Sequence, residues 1–326
     1  MSSDTSEVTA GGQRVRHDPS EAIVLLGHGS RDAEGVAEFA TFARRVGARL
    51  GRAVRWGFLE LADPPIAVAI DAAVAEGART IIAVPWLLLG AGHVKNDLAV
   101  AVQMARRRHP TVTVRYGAPI GVQPELLSTL GDRFATVDPN GGRGAPDTAL
   151  LLVERGSSDP EANAEVYRAA RLLWEGRQFA TVEAAFVGVT QPSVFDGLRR
   201  CLTLGARRVI IVPYFLYTGV LVRRIAEQVA EIAAEHPDVD FHVAPHLGQD
   251  DRLDTLALRM IERTHAGRAT MTCDVCQYRA PLFGREERMG LPQVSDHSHG
   301  LRGLNGDHHH HHDHERATVI WTQGEE

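Results

Sequence analysis

From residue 22 onward the chain alternates short apolar runs with longer amphipathic stretches. "AIVLLG" (22–27) leads into an amphipathic segment at 33–50. A run ending at Phe58 and Leu59 precedes a helical pattern over 64–76, and "TIIAVPWLLLG" (80–90) precedes another over 94–107. "TVTVRYG" (111–117) and "QPELLSTLGDRFA" (123–135) complete the series. Apolar runs of about four to eight residues between stretches of helical period predict parallel strands buried on both faces and joined by helices. The predicted fold class is α/β.

The same order then returns. "LLGHGSRDAEGVAEF" (25–39) is echoed by "LVERGSSDPEANAEV" (152–166), and "FLELADPP" (58–65) by "FVGVTQPS" (186–193). "GARTIIAVPWLLL" (77–89) is echoed by "GARRVIIVPYFLY" (205–217), and "RHPTVTVRYGAP" (108–119) by "EHPDVDFHVAP" (235–245). Leu25 to Leu152 is 127 positions, Phe58 to Phe186 is 128 and Pro119 to Pro245 is 126, a spacing too even for chance. The sequence therefore predicts two homologous lobes, each a parallel sheet flanked by helices. They span 22–137 and 148–266, joined by the Gly- and Pro-rich linker "DPNGGRGAPD" (138–147). Residues 1–21 and 267–326 carry no such period and are expected to be disordered or flexible.

Composition narrows the function. The chain is 44% hydrophobic and 23% charged with mean hydropathy −0.15, as a soluble globular protein is. A net charge of −6 provides no basic field for nucleic acid or for an anionic membrane. No apolar run approaches the ~20 residues of a membrane-spanning helix, and the polar N-terminus lacks the apolar core of a signal peptide. Three cysteines make no disulfide framework, so a cytoplasmic location is expected. Histidine is the anomaly, with 16 residues in all and eight beyond residue 290.

Sites in α/β units form where loops leave the carboxyl ends of the strands. His28 follows the first apolar run, Glu60 the second, and His93 lies just past the third, so all three project from one rim of one predicted sheet. Two imidazoles and a carboxylate suit cobalt, iron, nickel or zinc, and three protein ligands leave coordination positions open. The second repeat has Arg155 for His28, Gly188 for Glu60 and Leu221 for His93, while its Gly-Ser, Phe, Pro and Val-Pro positions persist. Three side chains lost together point to three that act together. An imidazole can accept a proton or hold a metal at neutral pH, and Gly90 and Gly92 would let backbone approach a bound ligand closely.

The motifs "LLGHGSRDAEGVAEF", "FLELADPP" and "VPWLLLGAGHVKND" resemble those of the sirohydrochlorin cobaltochelatases, the class II tetrapyrrole chelatases, whose relatives include sirohydrochlorin ferrochelatases. The resemblance spans about residues 22–266. It implies a two-lobed chelatase inserting Co²⁺ (or Fe²⁺ or Ni²⁺) into sirohydrochlorin, with a cleft for the tetrapyrrole. His28 and His93 would bind the metal, and the residue at His28 would accept a proton. Glu60, Leu88, Leu89, Gly90, Ala91 and Gly92 would touch metal or macrocycle. Because sirohydrochlorin is a polycarboxylate, Arg155, with Arg223 and Arg224, offers carboxylate clamps in the second repeat, as Arg31 and Lys95 do in the first.

The tail holds Cys273 and Cys276 as C-x-x-C, and six histidines at His308, His309, His310, His311, His312 and His314. Two thiolates cannot complete a four-cysteine cluster within one chain. The iron–sulfur centre that the resemblance implies would need non-cysteine ligands or a second subunit, which makes a homodimer one assembly to consider. Zinc and a redox dithiol are the other readings. The histidine run suits a metal reservoir. Cys201, on an apolar helix, is expected in the core. "GHGSRD" is not G-x-G-x-x-G, so neither a dinucleotide nor ATP is expected. The competing reading is a metallochaperone or metal store, which accounts for the tail but not for the motifs of the first repeat.

Overall fold

The computed structural model describes residues 9–10, 13–14, 18–269 and 276–291. The first repeat folds as β1 (Glu21–Gly27), α1 (Ala33–Leu50), β2 (Val54–Phe58), α2 (Ile66–Ala75), β3 (Thr80–Pro85), α3 (Leu98–Arg108), β4 (Thr113–Tyr116) and α4 (Pro124–Ala135). The second follows as β5 (Thr148–Glu154), α5 (Pro160–Trp174), β6 (Thr181–Phe186), α6 (Val194–Thr203), β7 (Arg208–Pro213), α7 (Val220–Glu235), β8 (Asp240–Val243) and α8 (Asp251–His265). The two four-stranded sheets are parallel, in the order β2-β1-β3-β4 and β6-β5-β7-β8, and residues 9–10 and 13–14 form a separate two-stranded antiparallel pair. The α/β class and the internal duplication are those the apolar periodicity predicts.

Central strands read as continuous apolar runs because both of their faces are covered. In β1, Ile23, Val24, Leu25 and Leu26 are all essentially buried. Val24 and Leu26 belong to one cluster with Ile66 and Ile70 of α2, Ile81 and Ala83 of β3, and Leu98 and Val102 of α3. The second sheet builds the matching cluster from Leu151, Val153, Leu198, Ile211 and Ile225. Cys201 is fully buried there, where burial pushes its thiol up to about 12, so it packs as a small apolar residue. The run "TIIAVPWLLLG" is longer than its strand. Pairing stops at Pro85, and residues 86–92 form the loop that leads to His93.

The chain packs as two compact units, and these differ from the sequence repeats at the ends. The first unit contains the β1–β4 sheet and α8 from Asp254 onward; the second contains the β5–β8 sheet, α4 and residues 32–38. Each repeat's last helix therefore packs with the other repeat's sheet. Within the first unit, Arg45 forks onto the buried Asp254 at 3.0 and 2.7 Å, and His265 pairs with Glu21. Within the second, Arg133 of α4 donates to Leu247 O at 3.0 and 2.7 Å, and Phe134 meets Phe179 edge-on at 5.8 Å. Among the described residues no helix is long and apolar enough to cross a membrane.

Candidate metal centre

The centre is assembled where β1, β2 and β3 end. After Gly27, His28 carries its Nδ1 3.1 Å from Gly29 O. Gly29 has φ +95°, and a Cβ there would fall 1.8 Å from Glu60 O, so only glycine lets the two loops meet. The meeting is sealed by Glu60 N donating to His28 O at 3.0 Å. Leu61 follows at φ 62°, with Ala62 N closing back on Glu60 O at 2.8 Å. His93 opens a five-residue π-turn, His93–Asp97, which runs straight into α3.

These loops converge three side chains. His28 Nε2 lies 3.1 Å from His93 Nε2, with the rings edge-on, and 3.3 Å from Glu60 Oε1. One ligand atom from each of the three lies within 4.8 Å of the others. The hydrogen bonds set the polarity of the cluster. Gly29 O and the Asp97 carboxylate, 2.9 Å from His93 Nδ1, can only accept, so each Nδ1 carries a hydrogen and, in the neutral rings, each Nε2 presents its lone pair. Two lone pairs and a carboxylate oxygen thus face one another, which is repulsive unless a cation lies among them. Two nitrogens each about 2.05 Å from one ion stand about 2.9 Å apart at a right angle and about 3.4 Å at a tetrahedral one. The observed 3.1 Å falls between. The side chains of His28, Glu60 and His93 are 29%, 20% and 12% exposed, so the cluster is held by protein on one side and open on another.

Asp97 was not read from the sequence, although "HVKND" places it four residues after His93, on the same face of a helical turn. Lys95, Asn96 and Asp97 are all buried. Tyr116 OH donates to Val94 O at 2.8 Å. Burial, reinforced by the charge of Asp97, raises that hydroxyl well above the usual tyrosine range and keeps it a donor.

The second repeat keeps this backbone without the three side chains. Gly156 has φ +88°, Gly188 N donates to Arg155 O at 3.0 Å, and Val189 takes the place of Leu61 at φ 30°. Asp63–Pro64 and Gln191–Pro192 are both cis. Among the described residues, the His28–Glu60–His93 group is the one set of three such side chains placed to hold a metal ion.

A family model described as CbiX matches the chain twice, over residues 22–137 and 149–264. The chain belongs to the CbiX family. It is 38% identical over 263 residues, 81% of its length and 86% of the relative's, to the sirohydrochlorin cobaltochelatase of Priestia megaterium. It is 33% identical over 72% of its length, and 87% of the relative's, to the sirohydrochlorin ferrochelatase of the same organism. Its fold is similar to that of the sirohydrochlorin chelatase SirB from Bacillus subtilis subspecies spizizenii in complex with cobalt. There the TM-score is 0.63 at 28% identity, covering 76% of this chain and 96% of that one.

The other candidate residues of this CbiX chain fall as follows. Leu88, Gly90, Ala91 and Gly92 are partly exposed in the loop before His93, and Leu89 is buried. A Cβ on Gly90 would press on Pro119 at 3.3 Å, whereas one on Gly92 would meet nothing within 4 Å, so that backbone is open to a flat ligand. Arg155 is exposed and belongs to the other unit. Arg31 and Arg224 are exposed, Arg223 is paired with Asp32, and Lys95 is 7% exposed. Cys276 is buried. Cys273 and the histidines at His308, His309, His310, His311, His312 and His314 lie outside the described residues.

Proposed function

We infer that the chain is a sirohydrochlorin cobaltochelatase, which inserts Co²⁺ into the free-base tetrapyrrole. The family match over both repeats and the 38% identity to a cobaltochelatase over most of the chain support this reading. The observation that carries its chemistry is the convergence of two imidazole lone pairs and one carboxylate on a common point. In this proposal His28 Nε2, His93 Nε2 and Glu60 hold the incoming ion through an incomplete shell, which lets it leave again. Metal insertion exchanges one M²⁺ for two pyrrolic protons. As the ion departs, the freed Nε2 atoms and the Glu60 carboxylate are the nearest acceptors for those protons, so the site regains the charge it hands on. Leu88 to Gly92 form the apolar and backbone surface against which the macrocycle lies.

Iron is the second reading, because the chain is also 33% identical to a ferrochelatase and the donor set accepts either ion. The donor set of one chain does not fit a four-thiolate cluster, and metal insertion at the histidine pair does not call on one. Sedimentation of the anaerobically purified protein with iron and sulfide would reveal a second copy that completes such a cluster.

Purified protein is mixed anaerobically with sirohydrochlorin and limiting Co²⁺ or Fe²⁺, and absorbance reports metallation. Fast Co²⁺ insertion that collapses in both His28→Ala and His93→Ala supports the reading, and the Co²⁺ to Fe²⁺ rate ratio selects the metal. Metallation no faster than in buffer, with tight Co²⁺ binding retained, makes the protein a metal carrier.

A further inference from the structure

The π-turn that presents His93 is held by more than α3. A π-turn closes its backbone ladder less well than an α-helical turn, and such turns frequently sit at functional sites. Here two phenols tie the turn down. One is Tyr116 on β4, bonded to Val94 O. The other is Tyr278, whose oxygen accepts from Asn96 Nδ2 at 3.0 Å across 182 residues of sequence.

Tyr278 lies in a short folded segment after α8. Arg279 N and Ala280 N both donate to Cys276 O at 2.8 Å, and Gly290 N returns to Tyr278 O at 3.0 Å. Cys276 and Gln277 are 3% and 4% exposed, so this segment is packed into the first unit. Asn96 is 1% exposed and stands between His93 and Asp97 in the turn. Its Oδ1 has no hydrogen-bond partner among the described residues, so the bond to Tyr278 is the side chain's one tether there. Without the phenol oxygen, a buried amide N–H would be left unpaired, and the turn would have to shift to satisfy it.

We propose that Tyr278 is a positioning residue for the metal-binding histidine: through Asn96 it fixes the π-turn and thereby sets the metal affinity of the site. The proposal rests on His93 being a metal ligand. It gives a task to a segment that the metal chemistry does not otherwise use. The phenol bonds Asn96 rather than His28, Glu60 or His93, so its effect reaches the site through the turn.

The test compares Tyr278→Phe, Asn96→Ala and the double variant in the full chain, with His93→Ala as control. Three quantities are measured: Co²⁺ affinity without tetrapyrrole, by competition with a chelating dye; the separate KM values for Co²⁺ and sirohydrochlorin; and the melting temperature. The loss of one neutral hydrogen bond supports a weakening of Co²⁺ binding by about 3- to 10-fold. The KM for Co²⁺ should rise in step while that for sirohydrochlorin stays level, and the double variant should be no worse than Asn96→Ala alone. Unchanged Co²⁺ affinity in Tyr278→Phe, or equal rises in both KM values alongside a fallen melting temperature, overturns the proposal. If His93→Ala still binds Co²⁺ and metallates at the normal rate, the histidine reading fails and this inference fails with it.

Discussion

Asp97 Oδ2 stands 2.9 Å from His93 Nδ1, on the far side of the ring from His28. The carboxylate is buried and accepts the Nδ1 hydrogen, so the Nε2 lone pair is directed at the cluster. Replacing Asp97 by Asn removes the charge and frees the ring to take the other tautomer. Co²⁺ affinity should fall about 10- to 100-fold, as is usual when the partner of a metal-binding histidine is lost. A dye-competition titration that finds the affinity of Asp97→Asn unchanged would rule out this orienting role.

Gly29 and Gly156 occupy matching positions and both have positive φ, yet their surroundings differ. A Cβ on Gly29 would strike the Glu60 carbonyl at 1.8 Å, while one on Gly156 would touch Thr190 Cγ2 at 3.0 Å and Gly188 O at 3.1 Å. Gly29→Ala should therefore cost about 3 kcal/mol or more, from strain plus overlap, and displace Glu60 from the cluster. Gly156→Ala should cost less and leave Co²⁺ binding intact. Thermal melts and Co²⁺ titrations of the pair check this; equal loss of metal binding in both variants would contradict it.

Glu154 stands where the first repeat has Gly27. Room exists for it because Val166 replaces Phe39, whose ring lies 2.7 Å from where a Gly27 Cβ would be. Burial raises the Glu154 carboxyl above the ordinary glutamate value, against the opposing pull of the Gly156 and Arg155 N–H groups. The unfolded chain loses this proton at lower pH than the folded one does. Stability is therefore lost as pH rises from the ordinary value through the folded one. Glu154→Gln should gain stability relative to the parent between pH 4.5 and 7.5, read from melting temperatures at the two pH values. A pH-independent difference would count against a raised carboxyl.

Arg155 is exposed in the loop that corresponds to the one carrying His28. Arg155→Ala should raise the KM for sirohydrochlorin several-fold and leave Co²⁺ binding in the dye assay as it was, since a surface clamp on a carboxylate carries a modest charge-assisted bond. An unchanged KM overturns the clamp that the sequence offers at Arg155.

Deleting residues 292–326 takes away every histidine of the tail while sparing Tyr278. Turnover at saturating Co²⁺ should be unchanged, because His28, Glu60 and His93 converge without any histidine of that segment. A rate that falls at saturating metal would give the tail a part in catalysis.

Much of this protein is legible in its sequence. Apolar periodicity is local, and a buried parallel strand must be apolar on both faces, so runs such as Ile23 to Leu26 declare themselves. Strand order and the rule that loops at carboxyl ends make sites suffice to place His28, Glu60 and His93 on one rim. The internal copy shows which three side chains vary together. Other features depend on contacts that sequence order does not encode. Asp97 was visible only as a spacing, because its meaning depends on a π-turn rather than an α-turn at His93. The packing of α4 and α8 with the other repeat's sheet depends on which apolar surface each helix covers, a choice between two sheets of the same strand order. The bond from Tyr278 to Asn96 joins residues 182 apart, and only the folded chain brings that phenol to the turn. Local pattern thus determined the elements and the candidate ligands, while tertiary packing decided what holds those side chains in place, because the partners that orient a side chain are chosen by proximity in space.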